Sequence, residues 1–286
     1  MGIGDGGLVE TGWLAAHLGD PDLRVYDCTV FLTPAGDGTV KIESGRAHFD
    51  KGHVPGAGFL DLISDLSDTR QSLRFMMPPA EKFAAAMGKA GLGDQCRVVL
   101  YCAGPPMWAT RVWWMLRAFG FDNAAVLNGG WGRWKAEGRE IATRAPAYPP
   151  ATFTPKPRPG LFAGKDDVAA AISDGQTCVL NSLSRDMHSG KVASGVRPGR
   201  IAGSVNLPAM ELLGEDLRLL DDSVLRERLG GVGAERGTRI ITYCGGGIAA
   251  TLTAFALARL GHDNVAVYDG SMSEWAVDPA APMEVG

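Results

Sequence analysis

Short apolar runs, each closed by a polar or small residue and followed by a longer helical pattern, recur along this chain. Arg239-Ile-Ile-Thr-Tyr243 reads as a buried strand, and Ile248 to Leu260 carries the alanine-rich apolar pattern of a helix. An earlier stretch repeats the arrangement: Val98-Val-Leu-Tyr101 is followed by a predicted helix over Trp108 to Phe119. Leu23-Arg-Val-Tyr-Asp27 and Thr177-Cys-Val-Leu-Asn181 are further short strands, each ending in a polar residue. Strands alternating with helices over short loops predict an α/β fold of open, mostly parallel sheets with helices on both faces. Ligands of such sheets bind beyond the carboxyl ends of the strands.

The elements come in two copies. Gly120-Phe-Asp-Asn-Ala-Ala-Val-Leu-Asn-Gly129 matches Gly261-His-Asp-Asn-Val-Ala-Val-Tyr-Asp-Gly270, and each copy then reaches a tryptophan, Trp134 or Trp275. Upstream, Gly52-His-Val-Pro-Gly-Ala57 corresponds to Gly199-Arg-Ile-Ala-Gly-Ser204. A period this long means duplicated domains rather than a solenoid. Between the copies, residues 145–159 carry six prolines and predict an extended surface linker. The expected organisation is a first domain over 1–144, a linker over 145–162 and a second domain over 163–286.

Composition narrows the classes. The chain has 286 residues, 45% of them hydrophobic, with a net charge of −4. Lys and Arg are scattered without a basic run, so no nucleic-acid partner is expected. No apolar stretch is long enough to span a bilayer, and no secretory signal is expected. The five cysteines (Cys28, Cys96, Cys102, Cys178 and Cys244) are widely spaced, without a C-x-x-C pair or a histidine at metal-ligand spacing. Disulfide scaffold, zinc site and dithiol redox motif are therefore not expected, and a reducing cytoplasm is the expected setting.

Chemistry concentrates at Cys244, at the end of its strand. The loop Gly245-Gly246-Gly247-Ile248-Ala249 leads directly into the helix. With almost no side chains, its N–H groups can point inward, and a thiol at a helix N-terminus ringed by amides is expected to ionise readily and hold an anion. The plain alternatives are a small buried hydrophobe and a glycine turn. Neither dinucleotide nor P-loop spacing fits, and no lysine follows. Cys102 occupies the same place in the first copy, but its loop, Cys102-Ala-Gly-Pro-Pro-Met-Trp108, is one residue longer. Pro105 and Pro106 lack N–H groups, so no ring of amides is expected there and Cys102 reads as structural.

Through these residues the chain resembles the tandem-domain rhodanese-type sulfurtransferases, over essentially its whole length. The resemblance rests on the two Gly52–Ala57 and Gly199–Ser204 motifs, on Arg111-Val-Trp-Trp-Met115, on Leu127-Asn-Gly-Gly130, and on Cys244 with its loop. It implies two α/β domains, a catalytic loop in the second only, a site in the cleft between them, and a persulfide on Cys244. It further implies no cofactor or metal, a small sulfur donor, a thiol or cyanide acceptor, and a monomer. The uncharged loop leans towards 3-mercaptopyruvate rather than thiosulfate as donor. Three positions depart from the mercaptopyruvate pattern: Gly246 replaces a serine, Phe75 a histidine and Met187 an arginine. Arg185 is near enough in sequence to substitute for that arginine, though a solvated role is its default. Asn181 stands where the family has an aspartate. His53 reads as the structural anchor of a turn, and Asp61 as a residue facing the cleft or a structural one. A phosphatase of this fold would need an arginine six residues after the cysteine, where Ala250 stands. A non-catalytic sulfur-relay or interaction protein is the remaining alternative.

Overall fold

Every residue of Val98–Tyr101 and of Ile240–Tyr243 is buried. Successive side chains of a strand point to opposite faces, so these strands are covered on both sides, as parallel strands must be. The computed structural model describes residues 3–4, 6–35, 40–193, 195–235 and 237–286. It divides the chain into two units. The first comprises Met1–Arg70, Met77–Pro157 and Asp216–Arg218, and the second Gln71–Met76, Arg158–Glu215 and Leu219–Gly286.

Each unit is built on a five-stranded parallel sheet. The first runs Leu8–Val9, Ala124–Leu127, Arg97–Tyr101, Leu23–Asp27, Ala57–Phe59 in spatial order. The second runs Phe162–Ala163, Val265–Tyr268, Arg239–Tyr243, Thr177–Asn181, Val205–Asn206. The order is the same, and so is the register. Tyr101 pairs with Asp27 as Tyr243 pairs with Asn181, so Cys102 and Cys244 leave the same end of the same central strand. The duplication read in the sequence is a duplication of topology.

The cores repeat as well. Val25, Val99, Tyr101, Ala125 and Trp134 pack together in the first unit, and Val179, Ile241, Tyr243, Ala266 and Trp275 in the second. Each tryptophan ring N–H donates to a carbonyl, Glu140 O at 2.8 Å and Pro282 O at 3.0 Å, which satisfies the polar atom these large side chains would otherwise bury. The helices after the two cysteines span Met107–Ala118 and Ala249–Arg259, within a residue of the predicted bounds at each end. Residues Ala250 to Leu257 are all buried, which explains a helix of small and apolar side chains without a charged face.

Two features were not read from the sequence. Antiparallel ribbons join Val30–Pro34 to Val40–Ser44 and Arg200–Ile201 to Met283–Glu284. The proline-rich stretch is also tied down along the first unit. Ala151 N donates to Gly88 O at 2.9 Å, Thr154 N to Asp94 Oδ1 at 2.7 Å and Lys156 N to Phe119 O at 2.7 Å, while Phe153 is buried. Close approach requires Gly88 and Gly120, where a Cβ would stand 2.5 Å from Ala151 O and 2.6 Å from Lys156 Cβ. No helix among the described residues is long and apolar enough to cross a membrane.

Candidate active site

Cys244 is buried at the point where the central strand ends and the glycine loop begins. Its helix starts at Ala249 and, being eleven residues long, presents the positive end of its dipole to the loop. What shapes the loop is a pair of serines that sequence reasoning missed. Ser271 Oγ accepts from Cys244 N and from Gly247 N, both at 3.1 Å, and donates to Tyr268 O at 2.7 Å. Ser273 Oγ donates to Gly245 O at 2.7 Å, and its backbone N–H reaches the same oxygen at 2.8 Å. Met272 N closes the set on Cys244 O at 3.0 Å. A signal for these serines did exist: they stand where the first copy of the repeat has Gly130 and Gly132.

The three glycines are not equivalent. Gly247 alone has a positive φ, +71°, while a Cβ on Gly245 would meet nothing within 4 Å and one on Gly246 only Ser273 Oγ at 3.6 Å. The scarcity of side chains is therefore a requirement of the backbone at Gly247 and not of space at Gly245 or Gly246. The expected ring of inward amides is corrected at one position, because the Gly247 N–H is directed at Ser271. Gly247→Ala should lower stability by about 1 kcal/mol, the usual penalty of a left-handed non-glycine residue. Gly245→Ala should leave stability unchanged within error. Thermal unfolding of the two variants checks this, and equal shifts would contradict it.

Cys102 provides the contrast. Its thiol donates to Pro105 O at 3.2 Å, and burial pushes it up to about 12. The amides of Trp108 and Ala109 act in the opposite direction and are outweighed. The prolines therefore do not strip this loop of donors, as the sequence suggested. The loop does have inward amides, but it also supplies a carbonyl that keeps the proton on sulfur. Burial likewise raises the Cys28 thiol, and it raises that of Cys178 to about 11.

The residues expected around the donor are placed as follows. Arg185 is exposed and forms a two-pronged ion pair with Glu211, at 2.9 and 2.7 Å. Asp61 accepts from Ser44 Oγ at 2.7 Å and from Ile63 N at 2.9 Å, so its carboxylate holds a turn of the first unit. Phe75, half-buried with φ +64°, lies on the segment Gln71–Met76 that groups with the second unit, as does Arg74. Met187 is on the short helix Arg185–His188, its N–H bound to Ser184 Oγ. Fully buried Asn181 donates to His188 Nδ1 at 3.1 Å and accepts from Leu183 N at 2.9 Å. Burial holds His188 down to about 4, so the ring is neutral near pH 7, and the tautomer with its proton on Nε2 accepts that bond at Nδ1. His53 bonds through Nδ1 to Phe49 O at 2.8 Å and stacks on the Phe49 ring, the anchoring role its motif suggests.

A rhodanese-like domain model matches residues 10–137 and 194–278, one region in each half of the chain. The 3-mercaptopyruvate sulfurtransferase of Escherichia coli (strain K12) is 32% identical over 281 residues, 97% of each chain. The thiosulfate sulfurtransferase of Rattus norvegicus is 32% identical over 278 residues, 94% of this chain and 91% of the relative. Among solved structures, SseA from Escherichia coli, described as a 3-mercaptopyruvate sulfotransferase of rhodanese fold, superposes with a TM-score of 0.83. It is 30% identical and covers 94% of this chain and 99% of its own. The chain belongs to the rhodanese family. Its two parallel α/β domains match the rhodanese fold of that structure.

Proposed function

We propose that Cys244 is the sulfur carrier of this sulfurtransferase, within a catalytic second domain over 163–286. The first domain, 1–144, is then non-catalytic, and 145–162 links the two. The observation that carries this reading is the contrast between equivalent cysteines. Cys102 donates to the Pro105 carbonyl of its own loop, which retains its proton, whereas the Gly245 carbonyl of the Cys244 loop is held by Ser273 Oγ and N–H.

The Cys244 thiolate attacks the donor sulfur. With 3-mercaptopyruvate the C–S bond breaks, the enolate of pyruvate leaves and takes up the proton of the donor thiol, and the enzyme becomes Cys–S–S⁻. With thiosulfate the S–S bond breaks and sulfite leaves with the electron pair. An acceptor thiolate or cyanide then takes the outer sulfur and regenerates the Cys244 thiolate. The attacking thiolate and the persulfide it forms both carry negative charge, which the helix N-terminus and the amides of Gly245, Gly246, Ile248 and Ala249 are suited to stabilise. No step calls on a cofactor. The five free cysteines support a reducing, cytoplasmic setting. The reading is of a monomer acting on small molecules, with neither nucleic acid nor membrane as partner.

Intact-protein mass after incubation with donor tests this directly. One added sulfur on Cys244 is expected; none would favour a non-catalytic interaction protein instead. On donor choice, 3-mercaptopyruvate should outperform thiosulfate modestly. Thiosulfate carries two negative charges, and a neutral loop lacks the charged hydrogen bond worth about 1.5–3 kcal/mol, or roughly one to two decades in rate. Gly246, Phe75 and Met187 moderate the preference by removing side chains suited to mercaptopyruvate. Arg185 is already occupied by Glu211, which supports the same ordering. Steady-state kinetics with both donors and one thiol acceptor decides it. A higher kcat/KM for thiosulfate would mean that a cation, from Arg74 or a released Arg185, reaches the site.

A further inference from the structure

The two copies share a backbone conformation at one position and differ there in side chain. Gly130 and Ser271 both follow the Asn/Asp-Gly step, with φ of +50° and +48°. In each copy the next residue's N–H closes on the cysteine carbonyl, Trp131 on Cys102 O at 3.2 Å and Met272 on Cys244 O at 3.0 Å. In the first unit glycine is dictated, since a Cβ on Gly130 would stand 2.6 Å from Cys102 O. In the second a fully buried serine occupies the same left-handed conformation, one that side chains other than glycine rarely adopt. An outlier held by its surroundings points to something gained from it.

What is gained is a clasp. We propose that Ser271 is a positioning residue for sulfur transfer: its Oγ ties the first and fourth residues of the Cys244 loop to the strand end at Tyr268, so that the loop is shaped for the persulfide before sulfur arrives. This rests on the reading of Cys244 as the carrier. Both lone pairs and the proton of the hydroxyl are used, on Cys244 N, Gly247 N and Tyr268 O. The hydroxyl therefore acts through the loop and is not a proton source for the sulfur. A triglycine loop has almost no side chains of its own to fix its shape, which is why the tie comes from outside it. The first unit solves the matching problem elsewhere: Thr29 Oγ1 accepts from Ala103 N at 2.8 Å. By the strand register, with Asp27 opposite Tyr101 and Asn181 opposite Tyr243, the counterpart of Thr29 is Leu183, which has no hydroxyl. The clasp has moved from the residue after the neighbouring strand to the turn at Ser271.

The test separates positioning from stability. Ser271→Gly removes the hydroxyl but relieves the left-handed strain, which offsets part of the lost hydrogen bonding, so the thermal midpoint should fall by no more than a few degrees while kcat falls about tenfold or more. Donor KM should stay within about twofold, because the clasp touches the loop and not the donor. Ser271→Ala should lose kcat to a similar degree but with a midpoint lowered further, since it keeps the strained Cβ. A Ser271→Gly enzyme with wild-type kcat overturns the proposal, and so does one whose kcat falls no further than its loss of folded protein explains. Failure of the carrier reading shows separately, as wild-type protein whose Cys244 gains no sulfur mass from the donor.

Discussion

Cys244→Ser should abolish sulfur transfer, by at least about a thousandfold, while Cys102→Ser retains most of it. The first expectation follows from chemistry. Serine keeps the size and loses the nucleophile, and removal of a covalent nucleophile leaves only the residual catalysis of binding and electrostatics. The second follows from geometry. Cys102 is 1% exposed, its proton is engaged by Pro105 O, and burial pushes its thiol up to about 12, so it is a poor thiolate in an inaccessible place. A serine hydroxyl can make the same bond to Pro105 O, which limits the cost to about 1 kcal/mol of stability. Sulfur-transfer assays and intact-protein mass on the two variants read this out. Substantial activity in Cys244→Ser, or its loss in a folded Cys102→Ser, would sink the assignment.

Much of this was legible in the sequence because strands buried on both faces must be apolar throughout. Val98–Tyr101 and Ile240–Tyr243 announce themselves in that way, and the repeat then supplies its own alignment. Edge strands of two residues, such as Leu8–Val9, Phe162–Ala163 and Val205–Asn206, are too short to show any period. The chemistry of Cys244 was legible through its glycines, but the loop's support was not. A serine in a turn reads as ordinary surface polarity, and only the paired comparison of Gly130 with Ser271 gives it meaning. The proline-rich stretch reads as a free linker because composition reports stiffness and not contact. Its attachment depends on glycines at 88 and 120, distant in sequence. Arg185 illustrates the converse: proximity in sequence to a family position did not reveal that Glu211 holds it.

The same internal comparison predicts that Asp27→Asn stabilises the first unit above neutral pH. Asp27 and Asn181 end equivalent strands, and each side-chain oxygen accepts the N–H two residues on, Thr29 N at 2.8 Å and Leu183 N at 2.9 Å. Burial raises the Asp27 carboxyl to about 6, against the lowering effect of its Thr29 bonds. A carboxyl whose pKa is raised on folding favours the fold while protonated. Its contribution is fully present below the unfolded value of 3.8 and is lost as pH rises through about 6. A shift of that size corresponds to roughly 3 kcal/mol as an upper bound. Asparagine keeps the oxygen that meets Thr29 but presents N–H groups where the carboxylate receives the Tyr101 hydroxyl. A net gain of about 1–2 kcal/mol at pH 8 is therefore expected, shrinking towards zero near pH 4. Six of the seven tryptophans, all but Trp275, lie in the first unit, so denaturant unfolding followed by tryptophan fluorescence reports chiefly on it. The stability difference between variant and wild type should grow between pH 4 and pH 7 and then level off. A difference that stays flat with pH, or a variant less stable than wild type at pH 8, would show that the buried carboxylate is better satisfied than its surroundings indicate.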